Sequence, residues 1–389
     1  MKVTFKKVLA ILMALTMLLS LTACGGANYT AENTEYVIGF SGPLTGGAAI
    51  YGVAVKNSAQ MAVDEINAAG GLNGINFKLV ATDDTHDATK VAANYANMLE
   101  GGMQISLGTV TTAPGLEYSK LSAEDNVIFL TPSASGDDIP KTGNGFQMCF
   151  ADGNQGKVAA DYVNGLGLTN IGIFYKSDDA YSTGIYKQFK DNLKDSIKTV
   201  EAVFTGEAQD FSAQISTLKD CKFIFMPIYY QPASVFMTQA KETIAPDAIY
   251  YGCDGFDGLA GQFKDFSVIP QEVSMLSHFD SNAKEGAAAE FIKKYTEKYG
   301  ADTLNQFGAS AYDCIYAIYN AMKAAIDAGK AIDVTISAAD LSEILMEQFK
   351  GDFSYSGVTG NDITWEDNGY VSKEAVKYTL KTANAVDEK

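Results

Sequence analysis

Short apolar runs recur along this chain, each followed by a stretch with helical spacing. The runs are Val37-Ile38-Gly39-Phe40, Phe77-Lys78-Leu79-Val80, Ile105-Ser106-Leu107 and Val127-Ile128-Phe129-Leu130. They continue as Ile171-Gly172-Ile173-Phe174-Tyr175, Phe223-Ile224-Phe225-Met226 and Ile249-Tyr250-Tyr251. Near-continuous apolar runs of this length fit parallel strands buried on both faces. Between the first two, Val55, Ala59, Ala62 and Ile66 fall on one face of a helix, and Gly70-Gly71 offers it a left-handed stop. Ala88, Val91, Tyr95 and Met98 repeat the helical pattern. Strand–helix alternation predicts an α/β doubly wound architecture. Two lobes are expected, because one parallel sheet rarely absorbs this many units.

In sheets of this kind ligands gather outside the carboxyl ends of the strands, at a topological switch point. The loops after three of the runs are Ser41-Gly42-Pro43-Leu44-Thr45-Gly46-Gly47, Gly108-Thr109-Val110-Thr111-Thr112-Ala113-Pro114 and Thr131-Pro132-Ser133-Ala134-Ser135-Gly136. Small hydroxyls and the free N–H groups of helix starts can cradle an anion. Any one of these loops is equally explained by helix capping and turns; three on successive strand ends make a candidate site.

Composition narrows the function. The 389 residues are 47% hydrophobic and 20% charged, which fits a folded protein and excludes disorder, collagen and coiled coil. Acidic residues number 47 against 29 cations, for a net charge of −18, and every cation is a lysine. An acidic chain without arginine is a poor nucleic-acid binder. An acid that it binds must be held by something other than a guanidinium fork, and hydroxyls and backbone N–H groups are natural ligands for it. The only histidines, His86 and His278, are far apart in sequence, which argues against zinc catalysis and histidine triads. No GxxxxGK[ST], GxSxG, HExxH or strand-end GxGxxG occurs, and no carboxylate pair stands out as acid and base. No enzyme and no cofactor is expected.

The N-terminus reads as an address. Lys2, Lys6 and Lys7 precede a run from Val8 to Leu21 that is short for a spanning helix, in the layout of a secretory signal. Leu21-Thr22-Ala23-Cys24 resembles the bacterial lipobox, which implies cleavage after residue 23 and lipidation of Cys24. Residues 24–35 read as a flexible tether. Cys149, Cys221, Cys253 and Cys314 remain; an exported protein permits disulfides, but the spacings are wide and small buried hydrophobes are the plainer reading.

Residues 37–52 (VIGFSGPLTGGAAIYG), 61–74 (MAVDEINAAGGLNG), Asp83-Asp84, 108–114 (GTVTTAP) and 131–135 (TPSAS) together resemble the branched-chain amino-acid-binding family. Residues 178–184 (DDAYSTG), 210–212 (DFS), 353–357 (FSYSG) and 362–365 (DITW) extend the likeness to about residue 370. These are type I periplasmic binding proteins of ABC importers. The resemblance implies two lobes joined by three crossovers, near Ala151, Leu276 and Asp352. Lobe 1 is then 36–150 with 276–352, and lobe 2 is 151–275 with 353–383. It further implies that Thr111 holds a ligand carboxylate, that the Ser133 carbonyl receives an ammonium, and that Ser135 touches both. Asp254 is implied as the ammonium's counter-charge, with Tyr51, Tyr181, Tyr229 and Phe307 around the ligand side chain. Where the family has a disulfide near the site, this chain has His86 and Val110. Asp254 also stands in place of a longer glutamate.

The expectation is a monomeric lipoprotein that closes on an aliphatic amino acid and delivers it to ABC permease subunits. It would be anchored on the outer membrane face of a Gram-positive cell or lie in a Gram-negative periplasm. Rival readings keep the fold with an aromatic acid, amide or short peptide as ligand, or make the protein a sensor.

Overall fold

The computed structural model describes residues 33–383. Strands β1 (Tyr36–Gly42), β2 (Phe77–Asp83), β3 (Ile105–Ser106), β4 (Phe129–Thr131) and β5 (Gly145–Gln147) form a parallel sheet ordered β2-β1-β3-β4-β5. A second sheet takes β6 (Asn170–Lys176), β7 (Lys198–Phe204), β8 (Phe223–Met226), β9 (Ile249–Gly252), β10 (Glu272–Ser277) and β11 (Val376–Lys381). Its order is β11-β10-β9-β8-β6-β7, and β11 alone runs antiparallel. Each apolar run of the sequence lies in or overlaps a strand. Two doubly wound α/β lobes result, as the alternation predicted.

The strand order places the switch points. β1 lies between β2 and β3 in the first sheet, and β6 between β7 and β8 in the second. The loops after β1, β3 and β4 therefore open toward a crevice, and those after β6, β8 and β9 face it from the other lobe. Helix α1 (Ala49–Ala68) follows β1 and ends at Gly70 and Gly71, both at positive φ. The predicted second helix begins with a short 3-10 turn, Ala88–Lys90, before α2 (Val91–Glu100).

The chain enters the second lobe after β5 and leaves it after β10, close to the expected crossovers. The third passage departs from expectation. Residues 355–371 were expected to belong to lobe 2, yet they pack on lobe 1. Trp365 Nε1 donates to the Gln147 carbonyl at 2.8 Å, and its ring meets Phe349 at 4.7 Å. Gln147 N donates to Gly369 O at 3.0 Å, and the Tyr370 hydroxyl donates to Asp137 O at 2.8 Å. Only β11 joins the second sheet. Buried Asp313 fixes this segment: its carboxylate accepts from Tyr355 Oη (2.9 Å), Val358 N (2.8 Å), Thr359 N (2.8 Å) and the Thr359 hydroxyl. A buried carboxylate must be satisfied in this way or it destabilises the fold.

Cys149, Cys221, Cys253 and Cys314 are all buried and unpaired. No helix among the described residues is long and apolar enough to cross a membrane. Cys24 and the expected leader, residues 1–23, lie outside the described residues.

Candidate ligand-binding site

All eight positions singled out in the sequence line one cavity between the lobes: Tyr51, Thr111, Ser133, Ser135, Tyr181, Tyr229, Asp254 and Phe307. Each arrives by a simple route. Thr111 follows β3 and is the N-cap of α3 (Thr112–Glu124), and Ser133 and Ser135 follow β4. Tyr51 lies in the first turn of α1, and Phe307 in that of α9, which here is Gln306–Asp327. From the second lobe, Tyr181 follows β6, Tyr229 follows β8 and Asp254 follows β9.

The lobe 1 side is a bed of hydroxyls at a helix start. Thr111 caps α3 in backbone only, with extended φ −108° and ψ 152° and no side-chain cap bond. Its hydroxyl instead meets His86 Nδ1 at 2.8 Å. The first N–H groups of α3 are thus left to face an anion, with the helix dipole in support. The Ser133 hydroxyl is not turned to the cavity; it donates to Val110 O at 2.7 Å and locks the two loops together. Ser135 O accepts from Asp152 N at 2.8 Å.

The lobe 2 side is acidic. Asp254 is buried, and its Oδ1 accepts from the Tyr181 hydroxyl at 2.6 Å. The same hydroxyl accepts from Gly255 N at 2.9 Å, while Gln155 Oε1 receives Asp254 N at 2.9 Å. Glycine is required next to Asp254, because a Cβ at 255 would lie 2.8 Å from Tyr181 Oη and 2.9 Å from Ile228 O. Burial pushes the Asp254 carboxyl up to about 6 against the lowering hydrogen bonds of Tyr181 and Gln155. Asp152 stands behind, its Oδ2 accepting from Thr112 Oγ1 at 3.3 Å; burial, then the nearby Asp254 charge, raises its pKa well above the usual carboxylate range. No lysine lines the cavity. Asp254, a buried carboxyl with no cation in the cavity lining, is the group there that can pair with an ammonium.

Aromatic rings close the remaining walls. Tyr181 and Tyr229 stack at 4.6 Å, and Tyr51 packs edge-on to Phe307 at 4.9 Å. Tyr51 Oη also crosses the cleft to donate to Gly255 O at 2.6 Å, so the lobes are in contact. The enclosed space is small, about 10 Å³, room for about one water. A roomier cavity of about 310 Å³ adjoins it at the mouth, lined by His86, Lys176, Asp179 and Glu207 among others. Tyr229 borders both cavities, and its hydroxyl is buried without a partner. The convergent polar groups belong to the smaller space. A ligand the size of an amino acid therefore requires the rings or the lobes to part.

Sequence reasoning left out His86, Asp152 and Gln155 as site residues. In the sequence His86 stands at a family disulfide position and is one of two histidines remote from each other, neither of which marks it as a site residue. Nothing local marks Gln155, which reaches Asp254 across 99 residues of chain.

The periplasmic binding protein family matches residues 35–375, nearly the whole described chain. The chain belongs to that family. It is a family of extracytoplasmic solute-binding proteins, not of enzymes, and the motif resemblance pointed there. The Leu/Ile/Val-binding protein BraC3 of Rhizobium johnstonii is 30% identical over 321 residues, covering 80% of this chain and 84% of that one. Among solved structures, the branched-chain amino-acid transporter substrate-binding protein LivJ of Streptococcus pneumoniae, in complex with isoleucine, superposes with a TM-score of 0.77. It is 25% identical, with 90% of this chain and 96% of that chain covered. A solute-binding protein of R. palustris in complex with benzoate shares the fold at a TM-score of 0.75 and 16% identity, covering 90% and 95% of the two chains.

Proposed function

We propose that this protein captures an aliphatic amino acid, leucine, isoleucine or valine, by lobe closure and delivers it to the permease of an ABC importer. The observation that carries this reading is the opposition of two unlike surfaces in one buried site. Hydroxyls and the start of α3 suit a carboxylate, and Asp254 held by Tyr181 suits an ammonium. An α-amino acid carries both groups on one carbon. In this reading Thr111, with the N–H groups of α3, holds the carboxylate. The Ser133 carbonyl and Asp254 receive the ammonium, Ser135 reaches both, and Tyr51, Tyr181, Tyr229 and Phe307 surround the side chain. Charge-assisted hydrogen bonds of this kind contribute about 1.5–3 kcal/mol each. The names of the similar Leu/Ile/Val-binding proteins support the ligand class. We further propose that residues 1–23 are removed, that Cys24 carries the lipid anchor, and that the protein acts as a monomer.

A second reading is an aromatic carboxylate, favoured by the stacked Tyr181–Tyr229 pair. Such a ligand lacks an ammonium and has no use for Asp254.

A thermal-shift screen of residues 35–389 against the twenty amino acids, benzoates, amides and short peptides separates the two. Ligand at 100 times its Kd adds about 2.7 kcal/mol of stability. A rise with Leu, Ile and Val supports the first reading; a rise with benzoates alone replaces it with the second.

A further inference from the structure

His86 joins the two faces of the cleft. Its Nδ1 lies 2.8 Å from Thr111 Oγ1 in its own lobe, and its Nε2 lies 3.9 Å from Asp179 Oδ2 in the other. Asp179 is committed through its second oxygen, which caps α5 (Ala180–Asn192) by accepting from Ser182 N at 2.9 Å. The loop holds the imidazole in place at a conformational cost: Thr85 and His86 both have positive φ, 52° and 65°. Asp83 and Asp84 secure it by accepting the backbone N–H groups of Thr85 and His86, each at 2.9 Å. The Tyr229 ring stands edge-on at 5.3 Å.

The hydrogen count at Thr111 decides what that hydroxyl can do. With the imidazole proton on Nε2, facing Asp179, Nδ1 is an acceptor and takes the Thr111 hydroxyl hydrogen. Thr111 then shows only lone pairs to the cleft, and a carboxylate is repelled. With a proton on Nδ1, the ring donates to Thr111 Oγ1, and the Thr111 hydrogen is free to donate to a carboxylate. A neutral ring serves one neighbour or the other. Only the imidazolium donates to Thr111 and faces Asp179 with N–H at once.

We propose that His86 is a positioning residue that turns the Thr111 hydroxyl toward the ligand and couples capture of a carboxylate to uptake of a proton from solvent. The proposal rests on the carboxylate placement above. The proton adds to Nε2 or Nδ1 of the neutral ring from water in the mouth cavity, onto which His86 opens. The charged groups around the ring are Asp179, Lys176 and Glu207 from the second lobe and Asp87 from its own loop. Burial first, then Lys176, hold His86 below its ordinary range, against Asp179, Glu207 and Asp87, so the ring is neutral before a second anion arrives. A ligand carboxylate at Thr111 adds that anion and draws the proton in.

Calorimetric titration of the intact lobes with leucine, isoleucine, valine and benzoate, from pH 6.5 to 8 in two buffers of different ionisation enthalpy, tests this. Wild type is expected to take up protons on binding, with affinity rising up to about tenfold per pH unit as pH falls toward 7. His86→Leu should lose at least tenfold in affinity. His86→Asn keeps an amide donor near the Nδ1 position and tolerates positive φ. It should restore most of that loss without proton uptake. Asp254 titrates in all three proteins, so the comparison isolates His86. Equal proton uptake and equal pH slope in wild type and His86→Asn would overturn the proposal while leaving the amino-acid reading intact. Absence of binding heat for every ligand would overturn both.

Discussion

At the residue scale, Asp254 carries the heaviest consequence. Its carboxyl sits at about 6 through burial, and an ammonium ligand binds the ionised form. The bound state therefore has the lower pKa: affinity from this contact is present above pH 6 and lost as pH falls through it. Asp254→Asn preserves shape and the Tyr181 contact but removes the charge. It should weaken leucine binding at least a hundredfold at pH 7.5 and abolish the decline between pH 7 and 5; unchanged affinity by calorimetry would remove Asp254 from the site. Asp254, Tyr181 and Tyr229 were singled out through the family resemblance, and each stands in or just past the loop after an apolar run. His86 and Gln155 were not, since their roles exist only through contacts 25 and 99 positions away.

At the scale of elements, the site is six strand-end segments joined by the start of α9, and the strands that precede those segments were the legible ones. The strands missed were β5, β7, β10 and β11. β7 and β11 are edge strands with many exposed positions, so their sequences, KTVEAVF and VKYTLK, never form an apolar run. β10 is buried but broken by Glu272 and Ser274, which bond to each other at 3.0 Å. The start of α7 (Tyr230–Ala240) gives a prediction. Tyr229 is its N-cap and the partition between the small site and the larger cavity. Tyr229→Ala should merge the two, shifting preference in a thermal-shift panel from valine toward bulkier side chains such as phenylalanine. An unaltered ranking would show that the ring is no partition.

At the scale of the whole molecule, closure is built from cross-cleft contacts such as Tyr51 to Gly255, Gln306 N to Asp257 and His86 to Asp179. The Tyr51–Gly255 hydrogen bond is one of them, and such a bond contributes about 0.5–1.5 kcal/mol. Tyr51→Phe should therefore weaken ligand binding by roughly two- to tenfold and raise the radius of gyration of the free protein in solution scattering. No change in either would place the bond outside the closing equilibrium. A further expectation concerns anchoring: Cys24→Ser should release the protein from membranes into the soluble fraction, and continued retention would refute the lipid anchor. The lobe boundaries came from the family resemblance, and at the third passage Asp313 and Trp365 draw residues 355–371 onto lobe 1 by contacts that no local pattern announces.

That clamp has a geometric consequence. With 355–359 fastened to α9 and Trp365 fastened to Gln147, little of the third strap remains to twist, essentially the stretch between Val371 and Val376. If the other two connections, after β5 and after β10, are equally tied down, rotation about one axis is left as the soft motion. Any two patches, one on each lobe, are then separated by a distance that is a single-valued function of that angle. In the proposed importer role, a permease touching both patches would read ligand occupancy by span alone, without contacting the ligand.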